Sequence, residues 1–169
     1  MNLYFLRHGI AVEKSARDYP EDSERPLTLA GKREIRVIAK ALLRLGFRFD
    51  KLLSSPYLRA RQTAEVLALE MKPPLKVEFS KNLVPGVSPM DILKEVRGLS
   101  EAFPSVLLVG HESFLSQCLC QLLSGNAQSF LTIKKGGLCK VRIEGWDKTP
   151  QATLRWLLTP KQLAMMAHH

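Results

Sequence analysis

Asn2-Leu3-Tyr4-Phe5-Leu6-Arg7-His8-Gly9 is the stretch from which the rest of this chain can be read. Residues 2–6 form an apolar, aromatic run of strand length, and the run stops at a cation, an imidazole and a residue without Cβ. A buried strand that hands such residues to a loop places chemistry at its carboxyl end. The same pattern returns at residues 105–109, an apolar run that stops at Gly110-His111. A third strand, residues 50–54, ends in the turn Ser54-Ser55-Pro56, shortly before Arg59.

Between these runs lie helical stretches. Thr28 caps a helix predicted to reach about Leu45, since Ile35, Ile38, Ala39, Leu42 and Leu45 follow the i, i+3, i+4, i+7 spacing, and Gly46 stops it. Ser55-Pro56 predicts a cap and a proline at the first helical position, opening a helix through about Met71 that Pro73-Pro74 ends. Ser88 and Asp91 have capping-box spacing for a helix to about Ala102, and a further helix is expected over residues 114–123. Brief strands are expected at 76–79, 138–143 and 153–158. Residues 13–24 hold five acids and Pro20 with no period, and read as a polar loop.

Strand and helix alternating in this way predict an α/β fold: a three-layer α/β/α sandwich around a mostly parallel sheet, in one domain over residues 1–169. Ligands of such sheets gather at the carboxyl ends of the strands. Hydrophobic residues at 46% and charged residues at 24% require neither disorder nor a membrane class. The apolar run at residues 3–6 is too short for a signal peptide or a membrane span. Three cysteines, an odd number, favour a reducing, cytoplasmic setting. Cys118 and Cys120 are two apart on a helix, so they point to different faces and read as small core residues. His168-His169 reads as a frayed or appended tail.

The formal charge is +9, from 25 Lys+Arg against 16 Asp+Glu. Residues 32–61 hold nine bases and two acids and so carry +7 of it. Within them Lys32, Arg36, Lys40 and Arg44 recur every four residues along one helix face. Such a surplus suits a polyanion, but no nucleic-acid motif or interleaved aromatic residue accompanies it. The charge fits a phosphate site better: Arg7 and Arg59 offer planar forks to phosphate oxygens, His8 can attack phosphorus, His111 can donate to an oxygen, and Gly9 lets backbone and ligand approach closely.

Leu6-Arg7-His8-Gly9, Ser54-Ser55-Pro56-Tyr57-Leu58-Arg59-Ala60-Arg61-Gln62-Thr63-Ala64 and Val109-Gly110-His111-Glu112 resemble the three signature segments of the histidine phosphatase (phosphoglycerate-mutase-like) superfamily. Glu24-Arg25-Pro26-Leu27-Thr28 with Gly31, and Trp156-Leu157-Leu158-Thr159-Pro160, resemble its short SixA-type phosphohistidine phosphatases. The resemblance implies a phosphoglycerate-mutase-like fold and a hydrolase that needs no cofactor or metal. His8 would be the nucleophile, forming a covalent phosphohistidine intermediate. Arg7, Arg25, Arg59, His111 and the Gly9 turn would hold the phosphoryl group. The other ring nitrogen of His8 is expected to donate to a backbone carbonyl, at the Gly9 turn, to fix the tautomer.

Larger members of that superfamily carry a glutamate that protonates the leaving oxygen. In Lys81-Asn82-Leu83-Val84-Pro85 the corresponding place falls on Asn82, which cannot donate such a proton. Glu112, Asp22 and Glu24 are other candidates for the acid, and Glu112 and Asn82 are also candidates for support of the phosphate ligands. Lack of an acid favours a P–N bond, as in phosphohistidine, over phosphate esters. The chain also leaves little length for a lid, which implies an open site. The expected partner is a phosphorylated protein such as a histidine-phosphotransfer domain or phosphocarrier, docked on the basic stripe, with no nucleic acid and no membrane. Two alternatives are a small-molecule phosphomonoesterase of the same superfamily and a polyanion-binding domain without catalysis.

Overall fold

A computed structural model describes residues 1–15, 17–146 and 151–166; the His168-His169 tail lies outside the described residues. The helices and strands alternate as expected: β1 (Asn2–Arg7), α1 (Leu29–Arg44), β2 (Lys51–Ser54), α2 (Leu58–Glu70), β3 (Val77–Phe79), α3 (Pro89–Leu99), β4 (Ser105–Gly110), α4 (Phe114–Ser124), β5 (Leu138–Gly145), β6 (Gln151–Leu158) and α5 (Pro160–Met166). The strands form one sheet in the order β3-β2-β4-β1-β5-β6. β3, β2, β4 and β1 run parallel, while β5 pairs antiparallel with both β1 and β6.

Period-2 alternation divides the apolar side chains between two cores. Leu3, Phe5, Val106 and Leu108 face α3 and α4, where Ile92, Val96, Leu115 and Leu119 meet them. Tyr4, Leu6, Leu107 and Val109 face α1, α2 and α5, against Ile35, Ile38, Ala64, Leu67 and Leu163. The fold is therefore the expected three-layer α/β/α sandwich. β1 and β4 are buried on both faces, as parallel strands between helix layers should be.

α1 follows its sequence signals closely. The Thr28 hydroxyl accepts from Gly31 N at 3.0 Å, and Ile35, Ile38 and Leu42 are fully buried, a contribution of about 1.5–3 kcal/mol each. Gly46 follows the helix. Gly31 allows a close crossing, because a Cβ there would stand 2.2 Å from Ile10 O. The amino end of α1 thus sits directly on the segment that leaves β1.

The start of α2 differs from the expectation. Tyr57, not Ser55, is its N-cap, Pro56 lies outside the helix, and no side chain caps it. Ser55 is still held to the sheet edge, with its N–H on Val109 O at 2.9 Å, and its hydroxyl pairs with a histidine of β4's loop. α3 starts at Pro89 as expected, but the Ser88 hydroxyl accepts from Met90 N rather than from Asp91, and the helix ends at Leu99. Cys118 and Cys120 are both buried. Among the described residues no helix is long and apolar enough to cross a membrane.

Candidate active site

β1, β2 and β4 are parallel neighbours in the sheet, so Arg7-His8, Ser54-Ser55 and Gly110-His111 emerge at one edge. The antiparallel β5 begins there too. Gly136 N donates to Arg7 O and His8 O, at 3.1 and 3.2 Å, and Arg7 N donates to Gly137 O at 3.1 Å. The Lys134-Lys135-Gly136-Gly137 turn therefore fastens the end of β1. His8 N donates to Gly110 O at 3.0 Å on the other side. The backbone of the central residue is held from both neighbouring strands.

The His8 ring is 6% exposed, and its Nδ1 lies 2.8 Å from Gly9 O. A carbonyl can only accept, which assigns the proton of the neutral ring to Nδ1 and leaves the lone pair on Nε2. Arg59 Nε donates to that Nε2 at 3.3 Å. Burial, with Arg59, Arg7 and Lys135 nearby, lowers the His8 pKa to about 4, although the Gly9 hydrogen bond works the other way. At neutral pH the ring is an uncharged base with its free nitrogen beside a guanidinium.

His111 stands next to it, ring centroids 5.3 Å apart. Its Nε2 is 2.8 Å from Ser55 Oγ. Burial, helped by Arg59, His8 and Arg7, lowers its pKa to about 3. Among the described residues, His111 Nδ1 and Arg7 Nε are buried without a protein partner, so two nitrogens of the cluster remain for another acceptor or donor. Arg7 Nη1 donates to Ile133 O at 2.8 Å. Thr63 links the helix to the turn: its hydroxyl accepts from Gly9 N at 3.1 Å and donates to Arg59 O at 2.7 Å.

Arg59 is 4% exposed and sits in the first turn of α2. Its Nη1 donates to Asp22 O at 2.6 Å and its Nη2 to Asp22 Oδ2 at 2.8 Å. Arg25 donates from Nε to Asp22 Oδ1 at 2.8 Å, with Nη2 at 2.7 Å from the same oxygen, and from Nη1 to Val12 O at 2.9 Å. Burial tends to raise the Asp22 pKa, but Arg59 and Arg25 outweigh it and hold the carboxyl below its ordinary range. Asp22 is thus a fixed carboxylate and a poor proton donor.

The remaining candidates stand slightly apart. Glu112 Oε1 accepts from Ile133 N at 2.9 Å and from the Ser116 hydroxyl. Since Ile133 O receives Arg7, Glu112 supports Arg7 through one residue. Asn82 donates from Nδ2 to Glu95 Oε2 at 2.8 Å, an oxygen that also takes the Ser80 hydroxyl. Among the described residues, no hydrogen bond joins Glu112, Asn82 or Arg25 to His8 or His111. Cavities of about 470 and 400 Å³ share Asn2 and Lys140 at the opposite, amino edge of the sheet. They lie away from both histidines.

The structure brings Arg7, His8, Gly9, Arg59 and His111, the residues expected at the strand ends, to one edge of the sheet. Ser55, Thr63 and Ile133, which support them, were not expected from the sequence. Asp22 was expected only as a loop acid and a candidate for the proton donor, and its place three residues before Arg25 held the clue to its pairing. Once a carboxylate lies three residues before Arg25, a shared ion pair is available.

A family profile described as "Histidine phosphatase superfamily (branch 1)" matches residues 3–84. An uncharacterized protein of Picosynechococcus sp. is 36% identical over 147 residues, 84% of this chain and 85% of that protein. Phosphohistidine phosphatase SixA of Escherichia coli is 28% identical over 166 residues, 98% of both chains. A solved structure of the protein histidine phosphatase SixA complexed with tungstate superposes with a TM-score of 0.83 at 27% identity, covering 96% of this chain and 99% of that one. With the three signature segments meeting at one sheet edge, the chain belongs to the histidine phosphatase superfamily.

Proposed function

We propose that this phosphatase removes the phosphoryl group of phosphohistidine on a partner protein, through a covalent intermediate at His8. The observation that carries the reading is the His8 ring, with Nδ1 tied to Gly9 O and the Nε2 lone pair set beside Arg59. In the first step Nε2 attacks phosphorus and the substrate P–N bond breaks. The substrate ring leaves as neutral imidazole when its distal nitrogen already carries a proton. In the second step water attacks the phosphorus on His8, the new P–N bond breaks, and orthophosphate departs. Arg7, Arg59 and Arg25 neutralise charge that spreads over the equatorial oxygens, and the neutral His111 ring donates a hydrogen bond to one of them.

The choice of phosphohistidine over phosphate esters rests on the acid. An alkoxide needs a proton as it leaves, whereas imidazole does not. Asp22 is held as a carboxylate by two arginines, and Asn82, on which the resemblance would place the glutamate of larger members, is bound to Glu95. The name of the Escherichia coli relative points the same way. Arg36 and Lys40 are exposed on α1, where they would meet an acidic partner such as a histidine-phosphotransfer domain or phosphocarrier.

The test is phosphate release from a phosphohistidine-bearing carrier, measured beside a panel of sugar and nucleotide monophosphates. The carrier should lose its phosphate, His8→Ala should abolish the loss, and the small esters should react at least about a hundredfold more slowly. Release that persists in His8→Ala, or esters that outpace the carrier, would overturn the proposal.

A further inference from the structure

Every nitrogen of Arg25 and Arg59 that could point at a phosphoryl group is already directed at something, and in four of six cases it is Asp22. Oδ1 takes Nε and Nη2 of Arg25, Oδ2 takes Nη2 of Arg59, and the backbone carbonyl takes Nη1 of Arg59. One carboxylate thus presents an oxygen to each arginine, as two oxygens of a phosphoryl group would. The Asp22 side chain is 40% exposed. It sits on a three-residue 3-10 turn, Asp22–Glu24, whose preceding residue makes no side-chain cap.

We infer that Asp22 is a resident counter-anion that competes with the phosphoryl group for Arg25 and Arg59, and that it sets how weakly the enzyme holds free orthophosphate. The inference rests on the phosphoryl-transfer reading given above. The two contacts of Asp22 divide the work. Its backbone carbonyl keeps Arg59 aimed while the carboxylate swings aside, so an arriving phosphoryl group finds an ordered guanidinium. When the phosphoryl group has become orthophosphate, return of the carboxylate helps expel it. A site with Arg7, Arg25 and Arg59 and no such anion would retain its dianionic product, because the attraction of several unscreened cations is strong in a half-buried site.

A purely structural role for Asp22, holding the arginines in place, makes the opposite prediction. Loss of the carboxylate would then loosen the arginines and weaken orthophosphate binding. The sign of the change separates the two.

Calorimetric titration of orthophosphate into the wild-type protein, Asp22→Asn and Asp22→Ala at neutral pH and low salt reads that sign. Both variants should bind orthophosphate about tenfold more tightly, equivalent to about 1.4 kcal/mol, and orthophosphate should inhibit their turnover of a phosphohistidine carrier correspondingly better. Glu24→Gln removes the same charge two residues away and should change the Kd less than about twofold. Unchanged or weaker binding in both Asp22 variants, or an equal gain in Glu24→Gln, overturns the inference. If the wild type binds orthophosphate and shows His8-dependent release while the Asp22 variants bind no better, only the role of Asp22 falls. If none of the proteins binds orthophosphate and the wild type shows no His8-dependent release, the functional reading falls with it.

Discussion

Two buried histidines that stay neutral make the folded state sensitive to acid in a way that can be isolated. In the unfolded chain both rings take up a proton as the pH falls through the ordinary value of 6.5; in the folded chain His8 does so near about 4 and His111 near about 3. Between these limits the unfolded state binds more protons, so stability is present above about 6.5 and is lost as the pH falls. From about pH 8 to about pH 5 each ring costs about 2 kcal/mol, hence about 4 kcal/mol for the pair. For a chain of this size that is a fall of about 8–16 °C in Tm. The assay is thermal and denaturant unfolding of the wild type and of His8→Asn/His111→Asn at both pH values, in phosphate-free buffer because a bound oxyanion would itself stabilise the native state. Carboxylates titrate alike in both proteins and cancel in the difference. The wild type should lose about 4 kcal/mol more than the double variant over this range. The same low pKa keeps the nucleophile uncharged, so protonation of His8 should add no inflection near 6.5 to kcat/KM, and any change there belongs to the substrate ring. Parallel stability curves for the two proteins would refute the reasoning.

Gly31→Ala would push a Cβ against Ile10 O, 2.2 Å away, and should cost about 1–3 kcal/mol in denaturant unfolding; a loss below about 0.5 kcal/mol would mean that the α1 crossing is not tight. Asn82→Glu would set a second carboxylate beside Glu95, which now accepts from Asn82 Nδ2 and Ser80 Oγ. It should lower stability by about 1 kcal/mol without creating turnover of phosphate esters, and a gain in ester hydrolysis would show that this position can serve the leaving oxygen after all.

Local signals carried most of the fold. α1 could be placed from Thr28 to Leu45 because cap, period and stop agree there. The mostly parallel sheet followed from alternation of strands and helices, yet the direction of β5 depends on pairing with residues more than a hundred positions away, and no local pattern encodes it. The Ser55-Pro56 signal misled because Ser55 serves His111 and the sheet edge before the helix begins. α5 went unseen: its seven residues bury only Leu163. In the site, side chains at strand ends were legible because strand endings announce themselves. Ile133 acts through backbone atoms, which every residue type possesses, and so left no mark in composition. Asp22 lay in an acid-rich loop where only its spacing from Arg25 set it apart from Glu21 and Glu24.

The place of β1 in the sheet also bears on how the chain is made. β1 carries His8, yet its neighbours are β4 and β5, so during synthesis its apolar residues leave the ribosome about a hundred residues ahead of any strand that can cover them. At about 5–20 residues per second that is a wait of roughly 5 to 20 s. Through that interval Leu3 and Phe5, whose covering helices α3 and α4 also come late, remain available to chaperones or to another nascent chain. The catalytic edge is therefore among the last features of the molecule to form, and long-range pairing makes its assembly slow relative to the local helices.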